Sequence, residues 1–239
     1  MNEPTEPQMS RPKMAENLDQ REPPAPPSVW PPPPLGSPTQ GVSVPLAYPF
    51  QPVRGIGNAV MALLAVHALL NVISLATAWT GGEKVNDILA GVQGLFVLVT
   101  GVCFLVWTYR VSANLRFFMV SGVSVTPGWA VGYFFVPVMN LYRPYQVFRE
   151  IWQASDPGPA PRAGQAWQNL RVPVLLGLWW AFWLLSNVLD TLAARTPHEP
   201  IGNALASFLG LGAAVLALLV VRGLTDRQEN TALELSRAN

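Results

Sequence analysis

The sequence predicts an all-α fold: a polytopic membrane helix bundle of about four transmembrane helices. A re-entrant or interfacial segment and an amphipathic helix are expected between the second and third spans. Two observations lead there. Half of the 239 residues are apolar and only 12% are charged, against about a quarter charged in ordinary soluble domains. The apolar residues also gather into runs without Asp, Glu, Lys or Arg, each near the ~20 residues that cross a bilayer core as a helix.

The first run, Ile56 to Trp79, is 24 residues long, with Arg54 before it and Trp79 at its end as interface anchors. Gly81-Gly82 breaks the chain before the second run, Ile88 to Trp107. The third, Val172 to Leu192, carries Trp179, Trp180 and Trp183; the fourth, Ile201 to Val221, is closed by Arg222. The spans are therefore placed at about 56–79, 88–107, 172–192 and 201–221. Along the fourth, Gly202, Ala206, Gly210 and Ala214 recur every four positions, a spacing that lets another helix approach closely.

Between the second and third spans, residues 108–171 form a central segment. Val111, Leu115, Phe118 and Met119 share one face, so the second helix is expected to continue past the membrane. After the breaker Thr126-Pro127-Gly128, the stretch Trp129 to Leu141 is apolar, too short to span as a helix, and interrupted by Pro137. It reads as re-entrant or interfacial. Tyr145, Phe148, Ile151 and Trp152 then stripe a helix expected to lie on the membrane surface.

The ends differ from the middle. Residues 1–52 hold 15 of the 24 prolines. Proline fixes φ and lacks the N–H, so residues 1–54 are read as a disordered cytoplasmic tail, with Trp30 inside a proline run that could dock on an aromatic groove of a partner. No secretory signal is expected at its start. Residues 223–239 are read as a short cytoplasmic C-terminal tail, leaving 55–222 as the membrane domain. With four spans, 13 of the 15 Lys and Arg residues fall on the side holding both tails and the central segment. The positive-inside rule makes that side cytoplasmic.

The central segment also carries a resemblance. Trp107-Thr-Tyr-Arg110, Asn114-Leu115, Pro127-Gly128-Trp129, Gly132, Pro137, Asn140-Leu141-Tyr142-Arg143-Pro144 and Arg149-Glu150-Ile151-Trp152 recur in a fixed order. In these residues the sequence resembles a bacterial integral membrane family of the domain-of-unknown-function type, DUF4328-like, over about residues 55–225. The resemblance implies a multi-helix membrane protein of the bacterial inner membrane and brings no activity, cofactor or catalytic residue.

Chemistry is sparse. A net charge of +1 gives no basic field for nucleic acid. Cys103 is the lone cysteine, His67 and His198 the two histidines, and nucleotide, hydrolase and metalloprotease motifs are absent. No enzyme activity, cofactor or metal is expected. Ionisable groups inside lipid are costly and point to function. His67 and Asn71 share a face of the first span, and Asn187 and Asp190 a face of the third, at matching depths; they make a candidate intramembrane polar cluster. The alternative is interhelical hydrogen bonding, with Asp190 reaching the outer interface. On the arginine-rich side, Arg110, Asn114, Asn140, Arg143 and Arg149 make a candidate contact for an anionic ligand or lipid; the alternative is headgroup anchoring. The function expected is a non-enzymatic membrane scaffold or sensor whose tail binds a cytoplasmic protein partner. The competing expectation is a small transporter or channel subunit working as a homo-oligomer. The bilayer is the other partner.

Overall fold

The computed structural model describes residues 48–79, 83–156, 166–193, 195 and 200–238. The proline-rich tail up to residue 47, the Gly81-Gly82 breaker, most of the Pro- and Gly-rich loop after Ser155, and Pro197 lie outside the described residues, as does the side chain of Trp79. Six α-helices follow in order: α1 (Arg54–Trp79), α2 (Glu83–Phe117), α3 (Pro127–Gly132), α4 (Arg143–Ala154), α5 (Val174–Ala193) and α6 (Pro200–Ala238). Short 3₁₀ turns occupy Met139–Leu141 and Ala166–Asn169.

Four of these helices are long and apolar enough to cross a membrane: α1, α2, α5 and α6. α1 and α2, and α5 and α6, follow each other across short breaks, and the four pack as neighbours, α1 against α2 and α6, and α5 against α6. The chain is a multi-pass membrane helix bundle. At 1.5 Å per residue, the 35-residue α2 is ~52 Å long and the 39-residue α6 ~58 Å. A hydrocarbon core is only ~30 Å thick. Both helices therefore project at the end where α1 begins, and with α3 and α4 they build a head outside the apolar spans.

The head explains the extension of α2. Val111, Leu115 and Phe118 are buried, as their shared face predicts, while Met119 is exposed. Met119 ends the helix instead. It sits at φ 54°, and the bonds Val120 N–H to Leu115 O (3.3 Å) and Met119 N–H to Arg116 O (3.1 Å) form a Schellman cap around it. Left-handed backbone costs a β-carbon-bearing residue ~1–2 kcal/mol. Met119→Gly should therefore stabilise the fold by about 0.5–1 kcal/mol after glycine's extra chain entropy is counted. A melting temperature of detergent-solubilised protein that falls instead contradicts this.

The amphipathic helix exists as α4, but its apolar stripe meets protein, not the membrane surface. Phe148 and Ile151 are fully buried, with Pro144, Val147 and Ala154 on the same face, while Tyr145 and Trp152 are half-buried at its margins. The Phe148 ring stacks on Trp107 of α2 at 5.8 Å and meets Trp179 of α5 edge-on at 5.2 Å. Phe104 completes this aromatic box. Large rings fill the space where three helices diverge from the bundle, a volume aliphatic side chains would leave partly empty.

The segment expected as a C-terminal tail is the last part of α6. Leu224, Thr225, Gln228 and Thr231 are buried there, so residues 224–231 pack one face into the head and are not a loose end. The small-residue stripe also shifts. Ala206 and Ala214 are buried, but a Cβ at Gly202 or Gly210 would meet open space. The tight approach to α5 is at Gly212, where a Cβ would lie 2.8 Å from the Phe182 ring.

Candidate functional site

Inside the spans, the four expected polar residues do not form one cluster. Asn71 Nδ2 lies 3.0 Å from His67 Nε2 and donates to the His67 carbonyl at 3.1 Å, one turn back on α1. Asp190 of α5 is near enough to interact electrostatically with His67. Asn187 is exposed and spends its amide on its own helix, donating to Trp183 O at 2.6 Å. Its exposure turns it away from the His67–Asn71 pair. A bond between helices comes from a residue the sequence reading passed over: Gln93 of α2 donates to Ser74 Oγ of α1 at 3.1 Å.

In the head, the five expected residues separate into three places. Asn114, 1% exposed, faces the chain entering α1. Its Oδ1 accepts from the Gln51 N–H at 2.9 Å, and its Nδ2 donates to the Gln51 carbonyl at 2.9 Å. Nδ2 also donates to Gln228 Oε1 at 3.0 Å. Arg110 reaches the same stretch of chain, donating to Pro52 O at 3.3 Å. Asn140 and Arg143 lie apart from these, around the start of α4, and Arg149 is exposed on the outer side of that helix.

What assembles around Asn114 is a polar core. Gln228 donates to Val111 O at 2.8 Å and to Ser155 Oγ at 2.9 Å. Thr231 donates to Ser155 O at 3.0 Å, and Trp107 Nε1 donates to Thr225 Oγ1 at 3.1 Å. The outer rim is charged: Arg227 pairs with Asp156 and covers the Trp152 ring. Glu229 Oε1 accepts the N–H groups of Val53 (3.0 Å) and Arg54 (2.9 Å), which begin α1. Residues 50–53 thus form a strap held by α2 from below and by α6 from the side. Phe50 against Phe117 and a fully buried Val53 supply its apolar contacts. Satisfied buried networks of this kind fix one geometry, because each unmade bond costs about 1–3 kcal/mol.

A family model matches this chain. The model is described as Domain of unknown function (DUF4328) and covers residues 71–226. The chain belongs to the DUF4328 family. No curated protein and no solved structure matches it. The DUF4328 match contains Trp107, Asn114 and Thr225 but neither the strap nor Gln228, Glu229 and Thr231. In this DUF4328 chain the polar core is therefore completed by residues beyond both ends of the matched region.

Sequence reasoning missed Thr225, Gln228 and Thr231. Their signal is a face of α6, continuing Val221 and Leu224, on which the side chains are uncharged while Arg222, Asp226 and Glu229 fall off it. The cap offered by Glu229 is testable. Glu229→Gln keeps an acceptor but removes the anion from the N-terminus of α1, and should cost about 1 kcal/mol. Faster amide exchange at residues 54–57 would report it; unchanged exchange would place the capping elsewhere.

Proposed function

We propose that this chain is a non-enzymatic scaffold or sensor of the bacterial inner membrane. In this reading the bundle anchors a cytoplasmic head, and the proline-rich tail recruits a protein partner. The strap supports it most directly. The stretch joining tail to bundle is pinned by Asn114, Arg110 and Glu229, so the tail is tethered at one point of the bundle, and tethering raises the local concentration of a captured partner at the membrane.

The buried side chains found here hold backbone to backbone, which supports a mechanical role over a catalytic one. The arginine distribution supports a cytoplasmic head. Labelling of a single cysteine at Ser236 in a Cys103→Ala background by an impermeant thiol reagent on intact spheroplasts would overturn that orientation. Partner recruitment is tested by crosslinked pull-down of the full chain against a chain lacking residues 1–47, which leaves the strap intact. Loss of one or a few proteins on truncation is expected; identical sets of captured proteins would refute recruitment by the tail.

A further inference from the structure

The segment from Tyr133 to Tyr142 is neither helix nor sheet for most of its length, and it is greasy outside. Phe135 is 70% exposed and Val138 72% exposed, with Val136, Leu141 and the preceding Trp129 also exposed. In water such a stretch would be an unfavourable surface. Its inner side is fixed to the spans. Trp180 of α5 donates its indole N–H to Leu141 O at 2.9 Å, and Phe134 meets both Trp180 and Phe104 edge-on. Trp180 lies six residues into α5, ~9 Å along its axis from Val174. The segment therefore sits beside the first turns of a span, at the depth where phospholipid headgroups meet acyl chains.

A cation waits at that depth. Arg143 is half-buried, its guanidinium flanked by the Tyr133 ring at 5.4 Å and the Tyr142 ring at 5.7 Å. Its hydrogen bond from an Nη to Gln146 Oε1 is long at 3.4 Å, and its Nε is buried with no partner. No carboxylate among the described residues pairs with it. One turn earlier, Asn140 Oδ1 is also buried and lacks a donor. A half-buried guanidinium without a counter-ion is unfavourable, and so is an unfilled acceptor. An anion at the guanidinium resolves the first.

We propose that Arg143, with the exposed apolar rim of residues 135–141, forms a binding site for an anionic phospholipid such as phosphatidylglycerol. The phosphodiester bridges to the Arg143 guanidinium, whose planar fork matches two phosphate oxygens. The acyl chains lie along Phe135, Val138 and Leu141. The lipid is favoured over a soluble anion because the cation is walled by tyrosines and opens beside apolar residues, where a free phosphate would remain unsolvated on one side. This site is independent of the tail and of the strap.

Native mass spectrometry of the delipidated full chain in detergent tests it, with phosphatidylglycerol, phosphatidylcholine and inorganic phosphate added in turn. Wild type should retain one phosphatidylglycerol in preference to phosphatidylcholine, and Arg143→Gln should lose that preference by about tenfold, the worth of a charge-assisted bond. Arg149→Gln, at an exposed arginine of the same helix, should keep it. Arg143→Lys keeps the charge but not the planar fork and should hold an intermediate preference, which decides the matter if Arg143→Gln proves unstable. No preference for phosphatidylglycerol in wild type, or an equal preference in wild type and the Arg143 variants, overturns the site. Displacement of the lipid by millimolar inorganic phosphate overturns its assignment to a lipid.

Discussion

Replacing Asn114 with leucine should detach the strap from the head. Leucine matches asparagine in volume but offers neither donor nor acceptor. Three bonds vanish: both to the Gln51 backbone and the one to Gln228 Oε1. Gln228 keeps its own two donor bonds, to Val111 O and Ser155 Oγ, so the inner network survives in part. The Gln51 backbone cannot stay buried unpaired, and it recovers its hydrogen bonds only by lifting into water. The cost should be about 3 kcal/mol, which for a chain of this length lowers the melting temperature by about 10 °C. Amide exchange at residues 50–53 should rise by orders of magnitude while the middle of α2 stays protected. Unchanged protection at Gln51 would mean that Phe50 and Val53, not Asn114, hold the strap.

The same substitution is a control for the proposed scaffold. Freeing the strap leaves the tail attached to the chain, so partner capture in the pull-down should persist, whereas deleting residues 1–47 should remove it. The strap and the lipid site also part company: Arg143 makes no contact with the strap, so Asn114→Leu should leave phosphatidylglycerol retention at its wild-type level.

The spans were legible because lipid imposes a coarse demand. A helix in hydrocarbon must satisfy its backbone internally and show apolar side chains for ~20 residues, and such runs stand out in any sequence. The continuation of α2 was legible for a related reason: Val111, Leu115 and Phe118 repeat at helical spacing on one face. The end of α6 was not. Thr225, Gln228 and Thr231 are polar, and their burial depends on partners 73 to 118 residues away in the chain. Hydrophobic periodicity reports faces buried by apolar residues and is blind to a polar core. The intramembrane cluster failed in part because residue counting gives depth alone. Rotation about each helix axis is fixed by packing, and packing leaves Asn187 exposed. The head residues divided for the same reason: Arg110 and Asn114 share a face of α2, whereas Asn140 and Arg143 belong to a segment whose path is set by Trp180 and the aromatic box.

The closest helix contact in the head gives the second large effect. Gly57 of α1 lies against Thr225 of α6, and a Cβ built at Gly57 would stand 2.7 Å from Thr225 Oγ1 and 3.3 Å from its Cγ2. Threonine is branched at Cβ and cannot swing both atoms away. Its hydroxyl is also committed, since it accepts from Trp107 Nε1 in a fully buried position. Gly57→Ala must therefore push α1 from α6 or break the Trp107 bond, at about 3 kcal/mol for overpacking together with a lost buried hydrogen bond. In an exposed helix interior the same change would stabilise by ~1 kcal/mol. Thr225→Ala makes the room Gly57→Ala needs, and on its own costs the Trp107 bond, about 1–2 kcal/mol. In the Thr225→Ala background the penalty of Gly57→Ala should therefore shrink to near zero, a coupling of at least ~2 kcal/mol in a double-mutant cycle read by thermal unfolding. Additive effects would show that α1 and α6 can part at this point without loss, and that the strap, not the glycine contact, sets how closely they pack.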